Sequence, residues 1–446
     1  MKKFFTFLFA QLAVSSFFSQ FWSVQNQVFT QNYTAIYGIN IINNDNVWTH
    51  SNNVPIAYAK TTNGNASWVS GEFNDVNAYY TGLNMSLYSV GVNSFSAADN
   101  MNAWLMTQYN DPYMHNDIWK TSNGGLNWQK QFSFPQQNIG GKLVHFFDAN
   151  TGVAVSLNAE GFEPNRKYAI YRTTDGGTNW TPITNSPNTP GSAAHYYYTL
   201  GDAIYFWESR VGGYKIFKTI DKGLSWTEIS HTFDGSDWNL TAWSDMNKGI
   251  VVEQNPTIIT PMKFLRTTDG GVTWNEFTST GIPISWIGDI SYLPGTDVLI
   301  AVGQNGNISS TYGSWISTDN GNTFTAIDPG VYHTSIRCST GGICYSGGHN
   351  SSAQKPMMYK MNLSSYLKTG EKNFEWDGIF PNPANGQINI QTQKEILNSS
   401  LYDVSGKLLF KTDKKKIDMS SLLKGVYILK VEFKDGNIVS EKIIKQ

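Results

Sequence analysis

Between residues 30 and 366 the chain consists of short apolar runs separated by clusters of Gly, Asn and Asp. Residues 196–200, 203–208, 214–219 and 226–229 are one such set, rich in aromatic and β-branched side chains. Runs of this length and composition, bounded by turn residues, are typical of β-strands. No stretch after residue 20 shows the periodicity of an amphipathic helix. The pattern therefore predicts an all-β chain.

One octet recurs six times, at residues 61–68, 121–128, 173–180, 219–226, 267–274 and 317–324. It reads Thr/Ser-x-Asp/Asn-x-Gly-x-polar-aromatic, with Asn65 in place of the glycine in the first copy. The closing aromatic residues are separated by 60, 52, 46, 48 and 50 positions; they are Trp68, Trp128, Trp180, Trp226, Trp274 and Phe324. Four strands in every 50 residues or so predict the blades of a β-propeller.

The octet has the chemistry of a hairpin corner. Its third residue can accept hydrogen bonds from backbone N–H groups that follow it; these residues are Asn63, Asn123, Asp175, Asp221, Asp269 and Asp319. Its glycine tolerates a positive φ; the glycines are Gly125, Gly177, Gly223, Gly271 and Gly321. The closing aromatic ring restarts an extended strand and brings a large apolar group to the core.

The octet resembles the Asp box, or BNR repeat, of sialidase-like propellers, sortilin-type receptors and photosystem assembly factors. The resemblance covers residues 30–366 and implies that the boxes are structural and lie away from the ligand face. Residues 334–339, 343–347 and 357–361 predict three strands of a seventh blade without a box. Residues 23–30 would supply its outer strand and close the ring, which removes open sheet edges. We therefore expect seven blades, with six as the alternative.

The chain divides into four predicted segments. Residues 1–20 have the two lysines and the apolar run of a secretory signal peptide, too short to span a bilayer. Residues 21–366 form the propeller, and residues 367–378 form a polar linker. Residues 379–446 contain short alternating strands sufficient for a small β-sandwich. The predicted protein is exported, and no later stretch reaches the length of a transmembrane helix.

The C-terminal segment resembles the type A C-terminal sorting domain of the type IX secretion system. The residues that carry this resemblance most clearly are Pro381, Asn382, Pro383, Gly386, Gly406, Lys407, Gly425 and Tyr427. The resemblance implies recognition by the secretion machinery, transfer across the outer membrane, and removal of the tail. The mature protein would then be released or attached to the cell surface.

Composition narrows the remaining possibilities. The net charge is −2 and only 15% of residues are charged, so nothing indicates a nucleic-acid partner. Cys338 and Cys344 flank a three-residue turn, which favours a disulfide in an exported protein over a pair of buried thiols. The seven histidines lack metal-ligand spacing, and no phosphate-loop or dinucleotide fingerprint occurs, so we expect no metal and no cofactor.

If the boxes mark one rim of the propeller, the loops on the other rim are the default ligand face. The side chains that we expect there are His195, Asp237, Trp238, Trp286, Tyr332, His333, Tyr113, Glu163 and Arg166. Aromatic rings stack on sugar faces and carboxylates hydrogen-bond sugar hydroxyls, so this set suits carbohydrate. The alternative is that these aromatic residues pack between blades.

Three functions remain open. The prediction that we favour is a non-catalytic binding protein for glycan or protein at or beyond the cell surface. A glycoside hydrolase would need two facing carboxylates, for which Glu163, Asp234 and Asp237 are candidates. A scaffold without a small ligand is the third possibility. Sialidase activity is disfavoured, because no arginine precedes Arg166 and because Arg172 and Arg266 lie next to boxes.

Overall fold

The structure is a computed structural model that divides into two compact units, Met1–Leu367 and Lys368–Gln446. It describes residues 21–25, 28–29, 36–51, 56–64, 67–86, 90–109, 116–135, 138–158, 168–187, 192–210, 213–229, 233, 239–254, 262–282, 286–304, 312–350, 355–367, 376–392, 395–403, 407–434 and 438–446. The predicted signal peptide therefore lies outside the described residues.

The described residues of the first unit form seven four-stranded antiparallel sheets, which we call blades 1–7. Strand β1 (Trp22–Val24) precedes blade 1, which comprises β2 (Ile36–Ile41), β3 (Val47–Ser51), β4 (Ala57–Thr61) and β5 (Val69–Glu72). Blade 2 comprises β6 (Val90–Ala97), β7 (Ala103–Tyr109), β8 (Asn116–Thr121) and β9 (Gln129–Ser133). Blade 3 comprises β10 (Asn138–Phe146), β11 (Gly152–Asn158), β12 (Tyr168–Thr173) and β13 (Thr181–Pro182). The all-β propeller prediction is confirmed.

The remaining blades repeat this order. Blade 4 comprises β14 (Ser192–Leu200), β15 (Ala203–Arg210), β16 (Gly213–Thr219) and β17 (Thr227–Glu228). Blade 5 comprises β18 (Leu240–Trp243), β19 (Gly249–Glu253), β20 (Lys263–Thr267) and β21 (Asn275–Phe277). Blade 6 comprises β22 (Trp286–Tyr292), β23 (Leu299–Gln304), β24 (Gly313–Ser317) and β25 (Thr325–Ala326). Blade 7 comprises β26 (His333–Cys338), β27 (Ile343–Asn350), β28 (Lys355–Asn362) and β1.

The N-terminal strand closes the ring. The first strands of consecutive blades contact one another, and β26 of the last blade contacts β2 of the first. Strand β1 pairs with β28, with Trp22 opposite Met361 and Val24 opposite Tyr359. The N-terminus supplies the outer strand of the last blade, as predicted, but the strand is Trp22–Val24 and not residues 23–30.

A short helix interrupts the strands, and the expectation of no helix was wrong here. Helix α1 (Asn74–Gly82) follows β5 and buries Val76 and Tyr80, four residues apart on one face. The Tyr80 hydroxyl donates to Asp117 Oδ2 of β8 at 2.9 Å, and Trp128 N–H donates to Asp75 Oδ2 at 2.7 Å. The helix thus joins blade 1 to blade 2.

Each box forms a closed network of hydrogen bonds. In blade 3 the Thr173 hydroxyl donates to Asp175 Oδ1 at 2.8 Å, and Gly177 N–H donates to Thr173 Oγ1 at 3.0 Å. Asn179 N–H donates to Asp175 Oδ1 at 2.9 Å, and Gly177 has φ +90°. These bonds to the charged carboxylate, first of all from Asn179 N–H, hold the pKa of Asp175 at about 2.

In blades 2, 3 and 4 the cation just before the box joins the blade to the next one. Lys120 Nζ, Arg172 Nε and Lys218 Nζ each donate to the carbonyl oxygen of the fourth box residue in the next blade. Lys360 Nζ of blade 7 donates in the same way to the carbonyl oxygen of Gly64 at 2.6 Å. The same type of contact between neighbouring blades therefore also joins blade 7 to blade 1. In blade 6 the corresponding residue is Ile316, which faces the blade without a box.

The second unit consists of two small sheets around one apolar core. One sheet contains β29 (Trp376–Phe380), β30 (Gln387–Thr392) and β33 (Lys416–Asp418). The other contains β31 (Ile396–Asp403), β32 (Leu408–Thr412), β34 (Gly425–Phe433) and β35 (Ile438–Lys445). Both sheets contribute buried side chains to a common cluster, so the unit is a β-sandwich.

The residues that carry the sorting-domain resemblance have structural partners in this unit. Asn382 Nδ2 donates to the carbonyl oxygen of Lys442 at 2.7 Å, and Ile444 N–H donates to Asn382 Oδ1 at 2.9 Å. The peptide bond between Asn382 and Pro383 is cis. The Tyr427 hydroxyl donates to the carbonyl oxygen of Leu423 at 2.7 Å. The Pro-Asn-Pro segment is therefore fixed to the last strand; Gly406 lies outside the described residues.

Candidate functional site: a cavity on the box rim

The boxes and the hairpins between the first and second strands of the blades lie on one rim. Gly64 N–H donates to the carbonyl oxygen of Asp45 at 3.0 Å, and Gly176 N–H donates to that of Asn150 at 2.8 Å. In blade 5, Gly270 N–H makes the same bond to Asn247 at 2.9 Å. We call this the box rim. The other ends of these strands, where the second strand of a blade ends and the third begins, define the opposite rim.

A cavity of about 830 Å³ lies among the first strands of the blades; we call it the channel cavity. Its lining includes the exposed residues Asn43, Asn44, Gly201 and Thr340 of the first hairpins, so it opens on the box rim. Deeper residues of the lining come from the first or second strands of several blades; they include Asn40, His50, Ser94, His145, Tyr197 and Arg337.

The disulfide hairpin of blade 7 forms one wall of the mouth. Cys338 and Cys344 are directly opposite in β26 and β27 and form a disulfide. Ser339 Oγ donates to Asn44 Oδ1 at 3.1 Å, and Asn44 Nδ2 donates to the carbonyl oxygen of Gly341 at 3.4 Å. These bonds fix the hairpin of blade 7 to that of blade 1 at the mouth.

Polar side chains from different blades meet at the floor. Tyr197 of blade 4 and Ser94 of blade 2 share a hydrogen bond of 3.0 Å between their hydroxyl groups. Arg337 of blade 7 donates to Asp289 Oδ2 of blade 6 at 2.6 Å. Burial disfavours the charge of Arg337, but the Asp289 carboxylate outweighs it and raises the pKa of Arg337. Burial also raises the pKa of Tyr197, so the phenol stays protonated at neutral pH.

Two histidines line the cavity as neutral groups. Burial lowers the pKa of both His50 and His145 to about 4, so neither is charged at pH 7. His50 stacks on Phe95 with ring centroids 5.5 Å apart, and Nδ1 of His50 has no hydrogen-bond partner among the described residues. His145 is half-buried in the cavity wall with its ring edge-on to Phe147 at 4.8 Å.

The cavity has few charged side chains, and the arginine at its floor is paired with a neighbouring carboxylate. Among the lining residues that the structure describes, the only Asp, Glu, Lys or Arg residues are Asp45 at the mouth and Arg337 at the floor. Asp289, which touches Arg337, also accepts from Ile336 N–H at 2.9 Å. This part of the chain therefore does not present two free carboxylates facing each other across the cavity.

A Ser-His-Asp chain in blade 7 has a structural role. His333 Nε2 lies 2.7 Å from Asp328 Oδ2, and its Nδ1 lies 2.7 Å from Ser346 Oγ. Ser346 is fully buried and its hydroxyl hydrogen-bonds the carbonyl oxygen of Ser335 at 2.7 Å. A nucleophile must reach its substrate, so this buried serine is not a catalytic group. The network continues through Ser314 to Trp22 and fastens β1.

The structure places only part of the predicted ligand-binding set. Tyr332 is half-buried and contacts the ring of Tyr312 at 4.8 Å, whereas His333 is fully buried and belongs to the β1 network rather than to a ligand surface. The backbones of His195 and Trp286 lie in β14 and β22, but their side chains are outside the described part. The other predicted residues lie outside the described residues; they are Tyr113, Glu163, Arg166, Asp237 and Trp238.

The sequence contained a second repeated signal that points to the box rim. Asn43, Asp99, Asp148 and Asp245 each accept backbone N–H groups two and three residues later, which closes the hairpin after the first strand. They precede the third box residue of the same blade by 20, 24, 27 and 24 positions. This recurrence would have identified the hairpins that surround the cavity mouth.

Described residues give no support for a metal centre or a membrane span. No group of three or more His, Cys, Asp or Glu side chains there is arranged to hold a metal ion. None of the helices in the described part is long and apolar enough to cross a membrane.

Comparisons with known proteins agree with the two units. Residues 378–446 match the family described as a secretion system C-terminal sorting domain, which indicates type IX secretion and export to the cell surface or beyond. Beta-agarase D of Zobellia galactanivorans is 35% identical over 68 residues, which is 15% of this chain and 14% of the agarase. That match is too short to include the first unit.

Solved β-propellers resemble the first unit in fold. The structure of YCF48 bound to D1 peptide has a TM-score of 0.53 at 15% identity and covers 77% of this chain and 97% of its own. YCF48 from Cyanidioschyzon merolae has a TM-score of 0.53 at 16% identity and covers 76% and 98%. A GH74 xyloglucanase from Xanthomonas campestris has a TM-score of 0.51 at 12% identity and covers 84% and 59%. At these identities the similarity concerns the fold alone.

Proposed function

We propose that the protein is an exported β-propeller that binds glycan or protein at or beyond the cell surface, without catalysis. The C-terminal sorting domain supports export, and its partner is the type IX secretion machinery. The propeller is then the part that acts outside the cell. A predicted signal peptide at residues 1–20 would provide the first export step.

The charge arrangement of the channel cavity argues against hydrolysis at that site. A glycoside hydrolase needs two carboxyl groups about 5 to 10 Å apart, one as acid and one as base or nucleophile. Asp45 at the mouth is the only carboxylate among the described lining residues, and Asp289, which lies behind Arg337, is hydrogen-bonded by it at 2.6 Å. The described part of the cavity therefore offers no second free carboxylate to complete such a pair.

The opposite rim is the proposed ligand face, where Asp237, Trp238 and Trp286, the first residue of β22, would contact a sugar. Full-length exported protein should bind a discrete set of structures on a glycan array. Trp238→Ala and Trp286→Ala should abolish that binding at an unchanged melting temperature. The control is Val272→Ala, an exposed corner position on the box rim, which should leave binding intact.

Two results would contradict the proposal. If any glycan hit releases new reducing ends over hours, the protein is a hydrolase, and Glu163 and Asp237 become the candidate carboxylates. If both tryptophan variants bind like the wild type, the opposite rim is not the ligand face.

Deletion of residues 378–446 should retain the protein inside the cell, as measured by fractionation.

A further inference from the structure

We propose that the channel cavity is a second ligand site, which takes the terminal sugar units of an uncharged oligosaccharide from the box rim. The inference depends on the proposed function only for the ligand class, because the two sites lie on different rims. It concerns the described residues around the first hairpins, none of which belongs to the predicted ligand face.

The size of the cavity fits a small ligand. Its volume of about 830 Å³ lies within the 300 to 1,000 Å³ usual for small-molecule sites. The mouth is bounded by Asn44 and Thr340, and its walls are tied together by the hydrogen bonds between blades 1 and 7. A preformed mouth of this kind lowers the entropy lost on binding.

Polar side chains along the mouth and wall favour a hydroxyl-bearing ligand. The lining includes the amides of Asn40 and Asn44, the hydroxyl of Thr340 and the imidazole of His145. A sugar hydroxyl both donates and accepts, so it can pair with each of these groups and with either tautomer of His145. The Nδ1 atom of His50 is closed to solvent and lies against Gly38, so it is not part of this set.

The charges favour an uncharged ligand. Arg337 is compensated by Asp289 at 2.6 Å, and both histidines are neutral at pH 7 because burial lowers the pKa of each to about 4. An ionic ligand would find no unpaired charge in the cavity to compensate its own. Its transfer from water into the cavity would therefore be unfavourable. The half-buried rings of Phe147 and Tyr197 on the wall offer apolar surface to the C–H face of a sugar.

The test uses the full chain and neutral tetrasaccharides of glucose and of galactose, with a tetramer of galacturonic acid as the charged probe. Saturation-transfer NMR should detect at least one neutral probe and not the charged one. Thr340→Trp, which places an indole in the mouth, should weaken binding at least tenfold. Val272→Trp adds the same ring on the same rim outside the cavity and should leave binding unchanged.

A second variant tests hydrogen bonding between the cavity wall and the ligand, whereas Thr340→Trp tests entry through the mouth. His145→Phe keeps the ring but removes both nitrogens, so binding should weaken about fivefold, the effect of one hydrogen bond of about 1 kcal/mol. The melting temperature of the variant should match that of the wild type, since the substitution keeps a ring at this half-buried position of the cavity wall.

Several outcomes would overturn the inference. They are no binding of any neutral probe, stronger binding of the charged probe, or equal binding by Thr340→Trp and Val272→Trp. Glycan-array binding that is lost in Trp238→Ala but unaffected by Thr340→Trp would keep the proposed function and reject the cavity. The reverse pattern would keep the cavity and reject the opposite rim.

Discussion

Replacement of Trp22 by alanine tests whether the N-terminal strand closes the propeller. Trp22 is 2% exposed, its ring lies 5.2 Å from that of His333, and its Nε1 donates to Ser314 Oγ at 2.8 Å. The substitution removes a buried indole, leaves a void between blades 6 and 7, and deprives Ser314 of a donor. Strand β1 has only three residues, so little else holds it in place.

The expected cost is about 4 kcal/mol, since removal of a large buried aromatic side chain costs about 3 to 5 kcal/mol. At about 1.4 kcal/mol per factor of ten, this is a change of nearly a thousandfold in the equilibrium for opening the last blade. Hydrogen exchange measured by mass spectrometry should show the change in β28, the strand that pairs with β1. Opening β1 exposes one edge of β28, so its amides lose protection first.

Val24→Ala is the matched control on the same strand. Val24 is 53% exposed, so its truncation should alter stability by less than about 0.5 kcal/mol. Equal exchange of β28 in the Trp22→Ala and Val24→Ala variants would refute the reasoning, because the buried and exposed faces of β1 would then be equivalent.

Three further predictions follow from single features of the fold. The double variant Cys338→Ser and Cys344→Ser should lose about 2 kcal/mol, the value for so short a loop, and reductant should lower the melting temperature of the wild type alone. The pKa of Asp175 and of Asp269 is held at about 2 in the folded state, so their stabilisation is present above about pH 4 and is lost as the pH falls to 2. Thermal melts of the wild type should be flat from pH 7 to 5 and fall below pH 4, and replacement of both residues by asparagine should reduce that fall. Lys218→Met should cost about 1 to 2 kcal/mol in urea unfolding, because it removes a charge-assisted bond to the next blade and keeps the apolar stem.

The propeller and the sorting domain could be predicted because each depends on local, repeated or ordered signals. A box closes through bonds within eight consecutive residues, such as those of Thr173 to Asp175, so its chemistry is visible in the sequence. Helix α1 was missed because it buries only Val76 and Tyr80, too few positions to establish a period.

The channel cavity could not be predicted, because its floor is assembled from distant blades. Ser94, Tyr197 and Arg337 lie in different blades, and no spacing along the chain marks them as neighbours. Their proximity follows from the closure of the ring. The sequence could assign a face to the boxes, but it could not show that a cavity opens on the rim that carries them.

Ile316 is the only apolar residue among those that directly precede a box, and the neighbouring blade explains this exception. A cation precedes five of the six boxes, and three of these cations donate to the fourth box residue of the next blade. Blade 7 has no box, so it offers no such carbonyl group to blade 6, and a buried cation there would lack its partner. The sixth position is accordingly apolar, and Ile316 packs in the core between these blades. In blade 7 the corresponding residue is Lys360, which donates to the box of blade 1, so this position is again a cation. At these positions the residue before the corner thus corresponds to whether the next blade carries a box.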